Sequence, residues 1–308
     1  MRKNLQIAVI GAGLMGHGIA LTLARAGQYV AVTDPSPEAR AALAARVSES
    51  LSLMGESEAQ IAKILKKIEI VDTIESAVKG AYAVFEAAPE KMALKQSIFA
   101  EIEAHAPDDC ILASNTSVMP ITEIMSGLRL KNRALGTHWW NPPHMIPLVE
   151  VIRTEWTEEG VVQAMMDLLA DAGKTPVRVE KDVPGFIGNR LQHALWREAI
   201  SLVERGICDA ESVDTVVKSC FGRRLSVLGP LENADLVGTD LTLDIHNTVL
   251  ADLEDRAGPS PYLERLVAEG KLGMKTGEGF RKWTPEDAAA TRNRVTTHLR
   301  KLEGILKD

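Results

Sequence analysis

An apolar run, Ile7-Ala8-Val9-Ile10, passes directly into Gly11-Ala12-Gly13-Leu14-Met15-Gly16, and a second apolar run ends on Asp34. Three glycines at this spacing after a strand constrain the chain to a tight turn and a helix that begins against it. Gly11 permits the turn, Gly13 removes a side chain where backbone must approach a ligand, and Gly16 lets the helix pack closely on the strand. The helix shows Ile19, Leu23 and Ala26 on one face. Its free N-terminal amides favour anions, which suits a pyrophosphate. Tyr29-Val30-Ala31-Val32-Thr33 reads as the next strand, and Asp34 at its end is placed to accept hydrogen bonds from a ribose diol. A carboxylate there repels a 2′-phosphate, and no arginine stands at positions 35–39 to offset it. The expected cofactor is NAD rather than NADP, held by Gly11, Gly13, Leu14, Met15, Gly16 and Asp34.

Further strand candidates follow helical stretches at Ala83–Ala87, Ile111–Ala113, Ala134–Thr137 and Val177–Val179. That alternation predicts a parallel sheet wrapped by helices. Between Pro37 and Val78 helix formers dominate, with a break at Met54-Gly55-Glu56-Ser57, so a helical hairpin is expected after the second strand. Its Lys63, Lys66 and Lys67 read as a solvated face. Beyond Pro184-Gly185 the pattern becomes helical only, as in Leu191, Leu195, Ala199, Leu202 and Val203. The expected fold class is therefore α/β: a Rossmann-type, mostly parallel sheet with an inserted helical hairpin over 1–183, then an all-helical C-terminal domain over 184–308.

The 308 residues suffice for two domains with their own cores. A net charge of −7 and the lack of a basic block argue against nucleic acid. No stretch is long and apolar enough for a membrane span. Met1-Arg2-Lys3 is followed by too short an apolar run for a signal peptide. Cys110, Cys208 and Cys220 are odd in number and lack C-x-x-C spacing, so buried free thiols in a cytoplasmic protein are expected. The seven histidines show no ligand spacing, and no metal is expected.

Three polar clusters stand at strand ends or at the boundary: Ser114-Asn115-Thr116-Ser117, His138-Trp139-Trp140-Asn141-Pro142-Pro143 and Gly188-Asn189-Arg190. Ligands of open α/β sheets sit at the carboxyl ends of the strands, so the first two clusters lie where a substrate would meet a nicotinamide. The third would enter from the second domain. Oxidation of an alcohol by hydride transfer needs a base for the hydroxyl proton, and histidine suits that near neutrality. The chain after His138 turns at Pro142-Pro143 and returns to Glu150, which can thereby lie alongside the imidazole and fix its tautomer. Plainer readings remain open at this point: a hydrogen-bonded structural His138, a Ser114–Ser117 segment that caps the helix near Pro120, and an ordinary helical Asn189.

In order along the chain, Gly11–Gly16, Glu86-Ala87-Ala88-Pro89-Glu90, Ser114–Ser117, His138-x-x-Asn141-Pro142, Leu148-Val149-Glu150-Val151, Pro184–Arg190, Gly229-Pro230-Leu231-Glu232 and Gly273–Phe280 resemble the 3-hydroxyacyl-CoA dehydrogenase family. The resemblance implies an NAD-dependent oxidoreductase with a His138–Glu150 dyad, and Ser117 and Asn189 holding the reacting oxygen and its neighbouring carbonyl. It places further cofactor contacts on Glu90, Lys95, Asn115 and Asn141. It also implies a homodimer through the C-terminal domain and a 3-hydroxyacyl substrate of fatty acid metabolism.

The substrate side departs from the pattern. Family members that act on acyl-CoA carry lysines in the hairpin to pair with CoA phosphates, whereas residues 48–57 here offer serines and glutamates. Trp139 and Trp140 replace paired phenylalanines, and Pro142-Pro143 replaces a more open turn. These changes are similar to branches that oxidise CoA-free substrates such as L-gulonate, L-carnitine or the pyridine carboxylic acids of vitamin B6 breakdown. The substrate expected is thus a hydroxyacyl thioester or, alternatively, a small hydroxy acid. The β-hydroxyacid dehydrogenases related to 6-phosphogluconate dehydrogenase share G-x-G-x-M-G, but Gly185–Arg190 lacks the lysine they need. A structural protein that binds NAD without turnover is a more remote alternative, and the retained polar residues speak against it.

Overall fold

The computed structural model of the chain describes residues 4–305. Met1-Arg2-Lys3, where a signal peptide was weighed, lie outside them. Its strands are β1 (Gln6–Ile10), β2 (Tyr29–Thr33), β3 (Ile68–Ile70), β4 (Ala83–Glu86), β5 (Ile111–Ser114), β6 (Ala134–Trp139), β7 (Leu148–Arg153) and β8 (Thr175–Val179). The helices are α1 (Leu14–Arg25), α2 (Pro37–Leu53), α3 (Glu58–Leu65), α4 (Ile74–Val78), α5 (Met92–His105), α6 (Ile121–Ile124), α7 (Glu159–Asp171), α8 (Gly188–Glu204), α9 (Ala210–Ser219), α10 (Pro230–Val237), α11 (Thr239–Val249), α12 (Pro261–Ala268) and α13 (Pro285–Ile305).

The strands form one sheet in the order β3-β2-β1-β4-β5-β6-β7-β8. Neighbours run parallel except β6 and β7. The strand order reverses beside β1, between β2 and β4, which opens the crevice where such sheets bind dinucleotides. Every residue of β4, β5 and β6 is buried, because helices cover both sheet faces. That is why these strands read as continuous apolar runs rather than alternating ones. One face packs Leu21, Leu43, Leu51 and Val162 against the sheet. Phe99, Ile102, Ile121 and Ile124 fill the other.

The hairpin forms as expected. Ser36 caps α2 by accepting from the Ala39 amide, with Pro37 in the first turn, and Ser57 caps α3 by accepting from the Gln60 amide. The helical stretch does not run to Val78, however: Ile68-Glu69-Ile70 pairs with Val30–Val32 as β3. Three residues are too few to show a period, and at the sheet edge two of them stay exposed. The segment returning from Pro143 is likewise a full strand, β7, whose residues Val149–Arg153 pair with β6. Of the three thiols, only Cys110 is buried, and burial pushes it up to about 12; Cys208 is half-buried and Cys220 exposed.

By internal contacts the chain divides into two units. The first holds residues through Arg190 together with those from Leu299 onward, and the second is Leu191–His298. The second unit is helical apart from two isolated bridges around Glu278. Its buried residues are Ser201, Leu266 and Ala288. By contrast, Leu231, Leu236 and Leu243 stand 81%, 72% and 61% exposed.

Candidate active site

The glycine turn leaves β1 at Gly11, whose φ of +112° is open to glycine but not to ordinary side chains. A Cβ at Gly16 would lie 1.8 Å from the Gly11 carbonyl oxygen, so α1 can begin this close to the turn only without one. The close approach is thus to the turn itself, with Val9 of the strand further off at 3.6 Å. A Cβ at Gly13 would meet nothing within 4 Å. That open space lies at the N-cap of α1, which has no side-chain cap of its own. Leu14 beside it is 62% exposed, and Met15 turns toward the core. Uncapped amides facing open space suit a pyrophosphate. Asp34 is held in place at the end of β2: its Oδ2 accepts from the Ala12 amide at 2.7 Å and its Oδ1 from the Ser36 amide at 2.9 Å. Each oxygen retains a lone pair for a ribose hydroxyl.

Past β4 and β5 lies a buried polar network. Lys95, on α5, has no exposed surface; its ammonium donates to Glu86 at 2.8 and 3.1 Å and to the Ala88 carbonyl at 3.2 Å. Glu86 Oε2 also accepts from the Ser114 hydroxyl at 2.6 Å. Glu90 Oε2 lies 3.7 Å from Lys95 and accepts from the Thr116 hydroxyl at 2.9 Å, while Oε1 accepts from the Ser117 amide at 2.6 Å. Asn115 accepts from the Trp139 amide at 3.0 Å, tying the end of β5 to the end of β6. The Ser114–Ser117 cluster therefore does not cap α6, whose N-cap is Pro120 and carries no side-chain bond. Lys95 is thus wholly buried, with its ammonium engaged by Glu86 and the Ala88 carbonyl and Glu90 3.7 Å away.

His138 and Glu150 face each other across the β6–β7 ladder. Nδ1 of His138 and Oε2 of Glu150 are 2.7 Å apart, with both side chains nearly buried. Glu150 Oε1 accepts from the amides of Ile187 and Gly188 at 2.8 and 3.0 Å, at the start of α8. Burial alone would raise the Glu150 carboxyl, but the His138 hydrogen bond and those of the Gly188 and Ile187 amides outweigh it and hold the group below the usual carboxylate range. An ionised Glu150 fixes the proton of a neutral imidazole on Nδ1, which leaves the Nε2 lone pair to accept another.

The walls are aromatic. Trp140 lies 5.0 Å from the His138 ring and Phe186 5.6 Å, centroid to centroid. Phe186 is buried and holds a φ of +50°, a conformation rarely stable for a bulky residue, and it leads directly into the two amides on Glu150. Gly188 is required beside Trp140, since a Cβ there would lie 2.4 Å from the indole. Asn189 donates from Nδ2 to the Ser117 carbonyl at 2.7 Å and belongs with the first unit. Ser117 and Asn141 are exposed. The structure thus joins His138 to Glu150 and Asn189 to Ser117, links Glu90, Lys95 and Thr116 below them, and sets the glycine turn and Asp34 at the β1–β2 end.

Glu86 and Phe186 were not singled out from sequence as site residues. Glu86 falls within a quoted motif and could have been found there as an acid at a strand end. Phe186 carries no such signal, since its role lies in backbone conformation.

Residues 6–183 match the model of the 3-hydroxyacyl-CoA dehydrogenase NAD binding domain, and residues 185–283 that of the family's C-terminal domain. The chain belongs to the 3-hydroxyacyl-CoA dehydrogenase family. NAD is its cofactor, and the chain is an NAD-dependent dehydrogenase of that family. Among its relatives is the 5-formyl-3-hydroxy-2-methylpyridine 4-carboxylate 5-dehydrogenase of Mesorhizobium japonicum, 39% identical over 92% of this chain and 92% of that protein. A probable 3-hydroxybutyryl-CoA dehydrogenase of Bacillus subtilis is 39% identical over 89% of this chain and 96% of its own length. A crystal structure of a 5-formyl-3-hydroxy-2-methylpyridine 4-carboxylic acid 5-dehydrogenase, described as an NAD+-dependent dismutase, superimposes with a TM-score of 0.91 at 36% identity, covering 100% of this chain and 99% of that one.

Proposed function

We propose that His138, oriented by Glu150, takes the hydroxyl proton of a compact, CoA-free carboxylate substrate while NAD, when bound, accepts the hydride. The observation that carries the chemistry is the 2.7 Å His138–Glu150 contact, completed by two backbone amides on the second carboxylate oxygen. As Nε2 gains a proton the imidazole becomes cationic, and the Glu150 carboxylate offsets that charge without moving. Ser117 and the Asn189 side chain hold the reacting oxygen and the group beside it. Glu90, Asn115 and Asn141 line the cofactor side, and Lys95 fixes Glu90 from beneath.

The hairpin supports a substrate without CoA. Residues 48–57 contain no lysine or arginine, and Glu56 there is paired with Arg25 at 2.8 Å. A polyphosphate would meet acids and hydroxyls. Trp140, half-buried, offers a flat apolar surface beside the base, which fits an aromatic carboxylate such as the pyridine substrate in the Mesorhizobium relative's name. A formyl group enters the same chemistry as its hydrate, whose hydroxyl proton goes to the same base. The likeness to the Bacillus subtilis relative favours a second reading, 3-hydroxybutyryl-CoA and fatty acid metabolism. We also assign a homodimer to the helical 184–308 region, supported by the exposed leucines of α10 and α11.

The deciding experiment measures NADH formation with pyridine carboxylate alcohols and aldehydes, L-carnitine, L-gulonate, free 3-hydroxybutyrate and 3-hydroxybutyryl-CoA. Turnover of a CoA-free member is expected; efficient turnover of the CoA ester alone overturns the substrate assignment.

A further inference from the structure

Arg40 lies just beyond the stretch 35–39, and it reaches back to the ribose acid. From the first turn of α2 its Nη1 donates to the backbone carbonyl of Asp34 at 2.5 Å. Its Nη2 lies 3.1 Å from Oδ1 of Asp72, two residues past β3. The guanidinium therefore bridges the ends of β2 and β3, on the side of β2 away from β1. Only 18% of the Arg40 side chain is exposed, so its position is set by packing as well as by charge. Two carboxylates lie near it: Asp72, paired with it, and Glu38, two residues earlier in α2. Glu38 accepts from the Ser36 hydroxyl at 2.8 Å, and that bond together with its own amide holds its carboxyl below the usual range.

A ribose whose diol binds Asp34 presents its 2′-oxygen at the end of β2. A phosphate on that oxygen would extend off the ribose toward the first turn of α2, where a guanidinium already stands. Arginine presents five donors in a fork that matches a phosphate, and only two contacts are made here. We propose that Arg40 is a preformed ligand for a ribose 2′-phosphate, and that the Asp34 carboxylate, backed by Asp72, is what excludes NADP. Selectivity on this view comes from a repulsive element set against an available cation, rather than from the lack of a cation.

The test is binding, independent of which alcohol is oxidised. NADH and NADPH are titrated by fluorescence, and AMP and adenosine 2′,5′-bisphosphate by calorimetry, with melting temperatures recorded for each variant. The unaltered chain should favour NADH and AMP. Asp34→Ser should raise the NADPH-to-NADH affinity ratio by about a hundredfold, the scale of one unit repulsion removed at close range. Asp34→Asn keeps the shape of the acid and an acceptor for the turn, and should move the ratio the same way by a smaller factor. Asp72→Asn alone should give a gain of a few-fold. Adding Arg40→Met to either Asp34 variant should abolish the gain for both 2′-phosphorylated ligands. The proposal fails if folded Asp34→Asn protein shows no gain in adenosine 2′,5′-bisphosphate affinity, or if the gain survives Arg40→Met.

Discussion

The two contact units differ most in what their apolar residues do. In the first, Leu21, Leu43, Leu51, Phe85 and Phe99 are wholly buried, and helices on both sheet faces close the core. In the second, Leu231, Leu236, Leu243 and Val227 stand 61–81% exposed, and only Leu266 and Ala288 among apolar residues are buried. The first unit completes its interior within itself. Exposed apolar residues in such number are what a contact with another surface would cover. The difference teaches that the polar network and the open apolar residues rest on separate physical grounds, one on burial of charge in a closed core and the other on apolar area left exposed, which the proposed dimer would cover.

The sharpest test of that separation is His138→Ala, which removes the proposed proton acceptor and should lower turnover by about a hundredfold to ten-thousandfold. Sedimentation of the same variant should show an unchanged oligomeric state; a change in assembly would mean that the two grounds are not separate. Next in size is Lys95→Met, which strands the buried Glu86 carboxylate and should cost the first unit about 3–5 kcal/mol in denaturant unfolding. Glu86→Gln in the same chain should recover much of that loss, because no buried charge is then left alone.

A smaller effect belongs to the second unit. Leu231→Glu with Leu236→Glu places charge on the open face and should convert a dimer to monomer, read by sedimentation at micromolar concentration, with NADH affinity retained. If the unaltered chain sediments as a monomer, the comparison loses its second half. The smallest effect concerns pH. Burial, with His17 and Lys174 nearby, lowers His144 from 6.5 to about 4. A depressed folded value means that the unfolded chain binds the proton first. His144 therefore contributes stability above pH 6.5 that declines as pH falls from there toward about 4. Glu150, also depressed, loses its contribution only below the ordinary carboxylate range. His144→Phe should flatten the stability profile between pH 6.5 and 4. An unaltered slope would remove His144 as its source.

Much of this was legible in the residues themselves. The glycine turn, the distal acid and the hairpin carry local signatures, and the structure places them where those signatures point. The pairing of His138 with Glu150 was readable because a short turn and a return bring residues twelve apart into one ladder. The edge strand β3 was not, since Ile68-Glu69-Ile70 is too short to separate from the helix formers around it. The amides of Ile187 and Gly188 on Glu150 were invisible for another reason: every residue but proline has an amide, so only the fold reveals which ones are aimed. Arg40 escaped because its distance along the chain hid its distance in space.

The register of β6 on β7 has a consequence for how this chain can change. His138 and Glu150 are set by backbone pairing, and a slip of one residue would turn every side chain of the strand to the opposite face. The connection between them, residues 140–147, has anchors of its own: Lys174 binds the carbonyls of Pro143 and Ile146, and Gly18 makes room beneath Pro143. Trp140, beside His138, sits on that connection rather than in the ladder. Mutation can therefore explore new shapes along the turn while the His138–Glu150 geometry is inherited unchanged, and a library confined to residues 140–147 is the place to look for altered substrate range.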